Sequence, residues 1–171
     1  TAVTINRDGG VNDDAAGDPN TANRIRGMNA TNIAIGNFVS NRKVPFDVYN
    51  IDSIEISRGA NSNLFGLGTG SGVVNLVRSA ANVQRRSTNI STRADDTGGV
   101  RGSFDFNQPL VANKLAIRVS GVVQNKAFER EPSFDDTRRL YGAITWKPTK
   151  KTSLRLSGER YTREAQVPNY V

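Results

Sequence analysis

Apolar and polar residues alternate through successive stretches in the second half of the chain, and this alternation limits what the chain can fold into. The stretches are residues 87–95, 100–107, 114–126, 138–147 and 152–162. In the third stretch, one set of alternate positions is apolar or small: Leu115, Ile117, Val119, Gly121 and Val123. The intervening set is mostly polar and includes Lys114, Arg118, Ser120 and Gln124. Because successive side chains of a β-strand point to opposite sides, this repeat predicts an antiparallel meander with one apolar and one polar face.

Such a meander has two interpretations, a half-buried sheet of a water-soluble protein or part of a membrane barrel. Each stretch has roughly the ten residues that a tilted strand needs to cross a bilayer. The connections alternate in length, since residues 108–113 and 148–151 are short whereas residues 127–137 are longer and charged. Trp146 ends its stretch beside a short connection, where aromatic residues of a membrane interface lie. These features favour the barrel and make Trp146 a predicted membrane-interface residue.

The composition argues against an enzyme. The chain has no cysteine and no histidine, which removes disulfides, thiol catalysis and the commonest general base and zinc ligand. Aspartates in residues 7–23 do not follow the spacing of a calcium-binding EF-hand loop. We therefore predict no catalytic residue, no metal site and no cofactor. The net charge of +7 would permit a nucleic-acid or anionic-membrane partner, and we predict no nucleic acid because the strand pattern favours the membrane.

A glycine-rich segment separates two further strand candidates, residues 51–57 and 73–77. Its glycines do not form a phosphate-binding loop, because Gly72 is followed by Val73 where such a loop requires lysine. A dinucleotide-binding fingerprint read from Gly66 would place Ser71 at its third glycine. The residues that follow are β-branched and predict a strand rather than a helix. The segment is therefore predicted to be a tight turn between strands.

Three runs resemble the plug domain of TonB-dependent outer-membrane receptors: Ile25-Arg-Gly27, Ile54-Glu-Ile-Ser-Arg-Gly-Ala-Asn-Ser-Asn-Leu-Phe-Gly66 and Gly70-Ser-Gly-Val-Val-Asn-Leu-Val-Arg78. Ala60 stands where the family usually has proline, and Ser71-Gly72 replaces a double glycine. The resemblance implies a membrane β-barrel with an α+β plug. Residues 1–80 would be most of the plug, and residues 81–171 would be about five antiparallel transmembrane strands of a 22-stranded barrel. The chain is accordingly expected to be an internal piece of a longer polypeptide.

The resemblance also implies a function. Such a receptor lies in the outer membrane of a Gram-negative bacterium and imports an extracellular siderophore, cobalamin, haem or oligosaccharide. Its partners would be outer-membrane lipid, the remaining barrel strands and TonB, which would contact a segment upstream of this chain. The plug would end on the periplasmic side, so residues 95–99 and 127–137 would be outer connections. A passive outer-membrane or soluble all-β binding module, without TonB coupling, stays open as the alternative. An enzyme with an anion-binding glycine loop is a more remote one.

The family pattern assigns roles to individual residues. By resemblance, Arg26 and Arg58 would pair with glutamates of the inner barrel wall that lie beyond Val171. The turn positions of the plug motif are Gly27, Gly59, Gly66, Gly70, Gly72 and Asn75. Ligand contacts would come from the outward tips of the plug: Asn29, Thr31, Phe38, Asn41 and Arg42. On the wall, Arg118, Arg155 and Glu159 would either dock the plug or hydrate the polar face, and hydration is the expectation.

Overall fold

The computed structural model describes residues 3–5, 23–25, 32–39, 44, 47–57, 72–128 and 132–166. The chain divides into two compact units, the first ending at Arg78 and the second beginning at Ser79. Among the described residues, no helix has the length and apolarity that a bilayer crossing requires.

The first unit contains two small sheets. Strands β1 (Val3–Ile5) and β2 (Asn23–Ile25) form an antiparallel pair. The second sheet consists of β3 (Asn32–Ile35), β4 (Phe38–Val39), β5 (Ile51–Ser57) and β6 (Val73–Arg78). Its order is β4-β3-β6-β5, with β3 parallel to β6 and the other pairs antiparallel. The two strands predicted around the glycine-rich segment are thus β5 and β6.

Local sequence explains the connections of this sheet. Gly36 and Asn37 both have positive φ angles, 57° and 69°, as a two-residue hairpin turn of type I′ requires, and they join β3 to β4. A single 3-10 turn, Val48–Asn50, precedes β5, and Asp47 accepts a hydrogen bond from the backbone N–H of Tyr49. Ile33, Val74 and Leu76 are buried together on one face of the sheet.

The second unit is a five-stranded antiparallel meander in sequence order. Its strands are β7 (Ser87–Ala94), β8 (Val100–Val111), β9 (Leu115–Ala127), β10 (Phe134–Trp146) and β11 (Leu154–Gln166). All five predicted strands are present. The predicted bounds are too short at three places, since β8 continues past Pro109 through a register shift, β10 begins at Phe134, and β11 ends at Gln166.

The extra length of β10 and β11 has a physical cause. Arg163 of β11 donates to the carboxylate of Asp135 on β10 through Nε and Nη2, at 2.9 and 3.1 Å. A bidentate pair of this kind neutralises both charges between the two strands. Charged residues that were predicted to lie in a connection can therefore belong to strands. The long connection predicted at residues 127–137 is shorter for the same reason.

Along β10, the exposure of the two faces is inverted relative to that of a strand in a water-soluble sheet. Along β10, Arg139, Tyr141, Ala143 and Thr145 are buried. The intervening apolar residues are exposed: Leu140 is 52%, Ile144 45% and Trp146 49% accessible. On β11, Leu156 is 72% accessible. A sheet that covers its polar face and exposes its apolar face has the pattern of a barrel wall with lipid outside and a polar lumen inside.

Candidate functional site

Residues 79–85, here called the anchor segment, lie on the polar face of the second unit and are held by the side chain of Asn107. The Asn107 amide is 2% exposed. Its Oδ1 accepts from the backbone N–H of Asn82 at 2.7 Å, and its Nδ2 donates to the carbonyl of Asn82 at 3.0 Å and to the carbonyl of Arg85. One buried amide thus satisfies three backbone groups of a segment that belongs to no strand.

A charged pair on β8 and β9 holds the same segment. Arg118 donates through Nε and Nη2 to the two carboxylate oxygens of Asp105, both at 2.7 Å. Ser120 Oγ donates to Asp105 Oδ1 at 2.6 Å, and Arg118 Nη1 donates to the carbonyl of Ala80 at 3.2 Å. The carboxylate fixes the guanidinium by fork geometry, which leaves Nη1 directed at the anchor segment. The expectation that Arg118 only hydrates the wall is therefore wrong.

Two further contacts complete the anchor. The hydroxyl of Tyr141, a residue that is 1% exposed, donates to the carbonyl of Ser79 at 2.9 Å. The backbone N–H of Asn113 donates to the backbone carbonyl of Val83 at 3.0 Å. Ala81 and Val83 are buried against Ala116 of β9. The anchor segment therefore has its backbone carbonyls bonded to the sheet along most of its length and its apolar side chains packed on the same face.

A second charged group lies on the polar face of β10 and β11. Arg139 Nη1 is 3.5 Å from Glu159 Oε1, and its guanidinium carbon lies 4.2 Å from the centre of the Tyr161 ring. The side chains of Arg139 and Glu159 are 4% and 12% exposed. Glu159, expected to be hydrated, is instead paired with an arginine of the neighbouring strand. Ion pairs shielded in this way are held more firmly than exposed ones.

In the first unit, the structure explains two residues of the glycine-rich motif. Asn75 Nδ2 donates to Glu55 Oε2 at 2.8 Å, and Asn75 Oδ1 accepts from the backbone N–H of Asn37 at 2.8 Å. Asn75 is 6% exposed on the central strand β6. Its amide thereby ties β5 on one side to the β3–β4 turn on the other. This motif asparagine has a bridging role across the sheet, and Gly72, which precedes β6, has a φ of 129° that favours glycine.

The remaining predicted site residues divide into two groups. Most lie outside the described residues: Arg26, Gly27, Asn29, Thr31, Asn41, Arg42, Arg58, Gly59, Gly66 and Gly70. Phe38 opens β4 and is 78% exposed, and Trp146 ends β10 on the apolar face with 49% exposure. Among the described residues, no group of acidic, histidine or cysteine side chains is placed to hold a metal ion.

Sequence reasoning missed Asn107, Asp105 and Tyr141 as anchor residues. The available signal was their position, because all three fall on the polar face of strands whose other face is apolar. That signal marks many residues of the polar face and does not select those that contact residues 79–85.

Solved structures share this fold. The ferric-catecholate import receptor Fiu from E. coli K12, in its closed form, aligns with a TM-score of 0.75 and 18% identity over 88% of this chain and 22% of that chain. The pyoverdine outer-membrane receptor FpvA from Pseudomonas aeruginosa PAO1, bound to pyoverdine, aligns with a TM-score of 0.72 and 19% identity over 84% and 22%. The alcaligin outer-membrane receptor FauA from Bordetella pertussis aligns with a TM-score of 0.72 and 22% identity over 84% and 25%. The chain has the fold of TonB-dependent siderophore receptors.

These matches confirm the predicted fold class, which is part of a membrane β-barrel together with part of its plug. The chain spans about a quarter or less of the length of these solved receptors. No protein-family model matches the chain, and no curated protein sequence matches it.

Proposed function

We propose that this chain is part of an outer-membrane receptor that imports an extracellular ligand into the periplasm with energy transmitted by TonB. In this proposal, residues 1–80 are most of the plug and residues 81–171 are the first strands of the barrel. The observation that carries this proposal is the inverted exposure of β10, with polar Arg139 and Tyr141 covered and apolar Leu140 and Ile144 exposed. Such a wall functions only in lipid.

A sheet of five strands needs the rest of a barrel. The edge strands β7 and β11 each present a row of backbone groups without a strand partner among the described residues. Unsatisfied backbone groups are not tolerated in the hydrocarbon region, so further strands of the same polypeptide complete the wall. A complete barrel of 22 strands has a lumen of the size that requires a plug.

The similar receptors support a proposal for the ligand class. Fiu is named for ferric catecholates, FpvA for pyoverdine and FauA for alcaligin, so a siderophore is the favoured cargo. Cobalamin, haem and oligosaccharides are the other candidates. Phe38, exposed beside the β3–β4 turn, and Arg42 supply an aromatic face and a positive charge for such a ligand. The proposal also assigns polar ligand contacts to Asn29, Thr31 and Asn41, which lie outside the described residues.

The anchor segment gives the receptor a fixed point between its two functional parts. TonB pulls on a segment upstream of the plug, and the load passes along the chain towards β7. Asn107, Arg118 and Tyr141 hold residues 79–85 on the wall through side-chain hydrogen bonds, so the first wall strand is protected while the plug moves. Arg26 and Arg58 pair with wall glutamates and set how firmly the plug is retained.

The test is an uptake experiment with the complete receptor. The receptor is expressed in two otherwise identical Gram-negative strains that lack their own siderophore receptors, one with TonB and one without. Uptake of radiolabelled iron supplied as catecholate and hydroxamate siderophores is then measured. We expect uptake only in the strain with TonB, and loss of uptake when Phe38 and Arg42 are both replaced by alanine.

A matched control separates binding from assembly. The Arg155→Gln variant removes an arginine from the exposed end of β11 and should leave uptake unchanged. Equal uptake in both strains would reject TonB coupling and favour the passive module. Absence of the receptor from the outer-membrane fraction would reject the barrel.

A further inference from the structure

The apolar face of the second unit contains a groove between β9, β10 and β11. Gly142 of β10 and Gly158 of β11 are direct cross-strand partners, and together they form its floor. A Cβ atom at either glycine would meet no heavy atom within 4 Å, so the floor is open. The groove has a volume of about 520 Å³ and aliphatic walls: Ile117, Val119, Ile144 and Leu156.

The lining of the groove suits a hydrocarbon chain. The apolar face carries these four aliphatic side chains outward, and Leu156 is 72% exposed. A side chain of the same sheet does not fill the space, because the paired glycines have none. Packing of an elongated apolar group against both walls would restore the dispersion contacts that the groove lacks.

Two arginines lie at one end of the groove. Arg160 follows Gly158 by two positions on β11, which is roughly 7 Å farther along the same face. Arg138 is on β10 with Thr162 as its cross-strand partner, diagonal to Arg160, and both arginines are exposed. Within the described part of the chain, neither forms an ion pair. Two guanidinium groups at this spacing suit a phosphate, which they bind by forked hydrogen bonds.

The side chains on this face change from aliphatic to basic to acidic along the strands. Beyond the arginines, Asp136 and Glu164 are cross-strand partners on the same face. Moving away from Trp146, the face is therefore first aliphatic, then basic and then acidic. The acyl chains of a phosphorylated lipid fit the aliphatic layer and its phosphate fits the basic layer, whereas the acidic layer would repel a phosphate placed farther along the face.

We propose that this face binds one molecule of the phosphorylated glycolipid of the outer leaflet, with an acyl chain in the groove and a phosphate between Arg138 and Arg160. The proposal rests on the proposed function, which places the β9–β10 connection, and hence both arginines, on the outer side of the membrane. The glycine pair is then a lipid subsite, and the arginines select lipids that carry phosphate.

Binding is tested on the complete receptor purified in detergent. Lipid A is titrated into the receptor, and bound lipid is measured by native mass spectrometry. We expect the Arg138→Gln/Arg160→Gln double variant to weaken binding at least tenfold. We expect Gly158→Leu, which fills the groove, to weaken it by a similar factor. Dephosphorylated lipid A should bind to the unchanged receptor as weakly as lipid A binds to the double arginine variant.

Two control variants match these changes. Gly102→Leu adds the same side chain on the same face of β8, where a Cβ also meets nothing within 4 Å, but outside the groove. Arg155→Gln removes an arginine from the opposite face of β11. Both should bind lipid A within twofold of the unchanged receptor. If Gly158→Leu does not assemble, Gly158→Ala adds only a methyl group to open space and should still weaken binding measurably.

Equal affinity of all variants, or equal affinity for lipid A with and without phosphate, would overturn the proposal. This outcome is distinguishable from failure of the proposed function, because binding is measured on solubilised protein and needs neither TonB nor cargo. A receptor that binds lipid A as expected but shows no TonB-dependent uptake would retain the lipid site and lose the transport proposal.

Discussion

Replacement of Asn107 by alanine should release the anchor segment from the wall. The side chain makes three hydrogen bonds to the backbone of Asn82 and Arg85. Each such bond contributes about 1 kcal/mol net, so the free energy of local opening should fall by about 2 to 3 kcal/mol. The lower value applies if water reaches the released groups. Because 1.4 kcal/mol corresponds to a factor of ten, the opened population should rise roughly 30- to 150-fold.

Trypsin reports this opening directly. Arg85 and Arg86 are exposed and provide two adjacent cleavage sites, but the protease requires several residues around them in an extended, unbound state. When opening and reclosing are fast, the cleavage rate follows the opened population. The native receptor in detergent is digested, and the product ending at Arg85 or Arg86 is quantified against time by mass spectrometry. Cleavage in Asn107→Ala should be faster by the factor given above.

The control is Asn125→Ala, which removes an exposed asparagine of β9 that makes no side-chain hydrogen bond within the described residues. Its cleavage rate should stay within twofold of the unchanged receptor. If Asn107→Ala and Asn125→Ala are cut at the same rate, the side-chain bonds do not hold residues 79–85, and the anchor role is refuted.

Three further predictions concern single contacts. Tyr141→Phe leaves a buried carbonyl of the anchor segment without its donor, which should lower stability by about 1 to 3 kcal/mol and accelerate the same tryptic cleavage. Gly121→Ala places a Cβ 2.5 Å from Phe104 Cε1, so urea unfolding in lipid vesicles should show a loss of about 1 to 3 kcal/mol that Gly102→Ala, with open space at its Cβ, does not show. In the β7–β8 turn, hydrogen bonds from Thr97 and the backbone lower the pKa of Asp95. Their stabilisation is therefore complete above the ordinary pKa of an aspartate and is lost as the pH falls through the lowered pKa of the folded turn. The protection of the amides of this turn against hydrogen exchange should therefore decrease as the pH falls. The Asp95→Asn variant should lack this pH dependence. If the variant and the unchanged protein show the same dependence of protection on pH, the assigned role of Asp95 is wrong.

Much of the second unit could be predicted from the sequence because strand alternation is a local property. Leu115 and Ile117 fall on one face and Arg118 on the other, whatever their neighbours, since successive side chains of a strand point to opposite sides. The Gly36-Asn37 turn is equally local, because few other residue pairs tolerate positive φ at both positions. The sequence also indicated that the apolar face meets lipid, through connection lengths and the position of Trp146.

The contacts of the candidate site depend on tertiary structure. Asn107 bonds to residues 22 and 25 positions away, Tyr141 to one 62 positions away, and Asn75 to residues 20 and 38 positions away. Sequence periodicity assigns a face to each side chain but not the chain segment that lies on that face. The ends of β10 and β11 were decided in the same way, by Asp135 and Arg163, which are 28 positions apart. The local alternation of apolar and polar residues therefore determined the strands and their faces. Strand register and the path of residues 79–85 determined which polar side chains form hydrogen bonds, because only the folded chain brings groups that are distant in sequence within reach of one another.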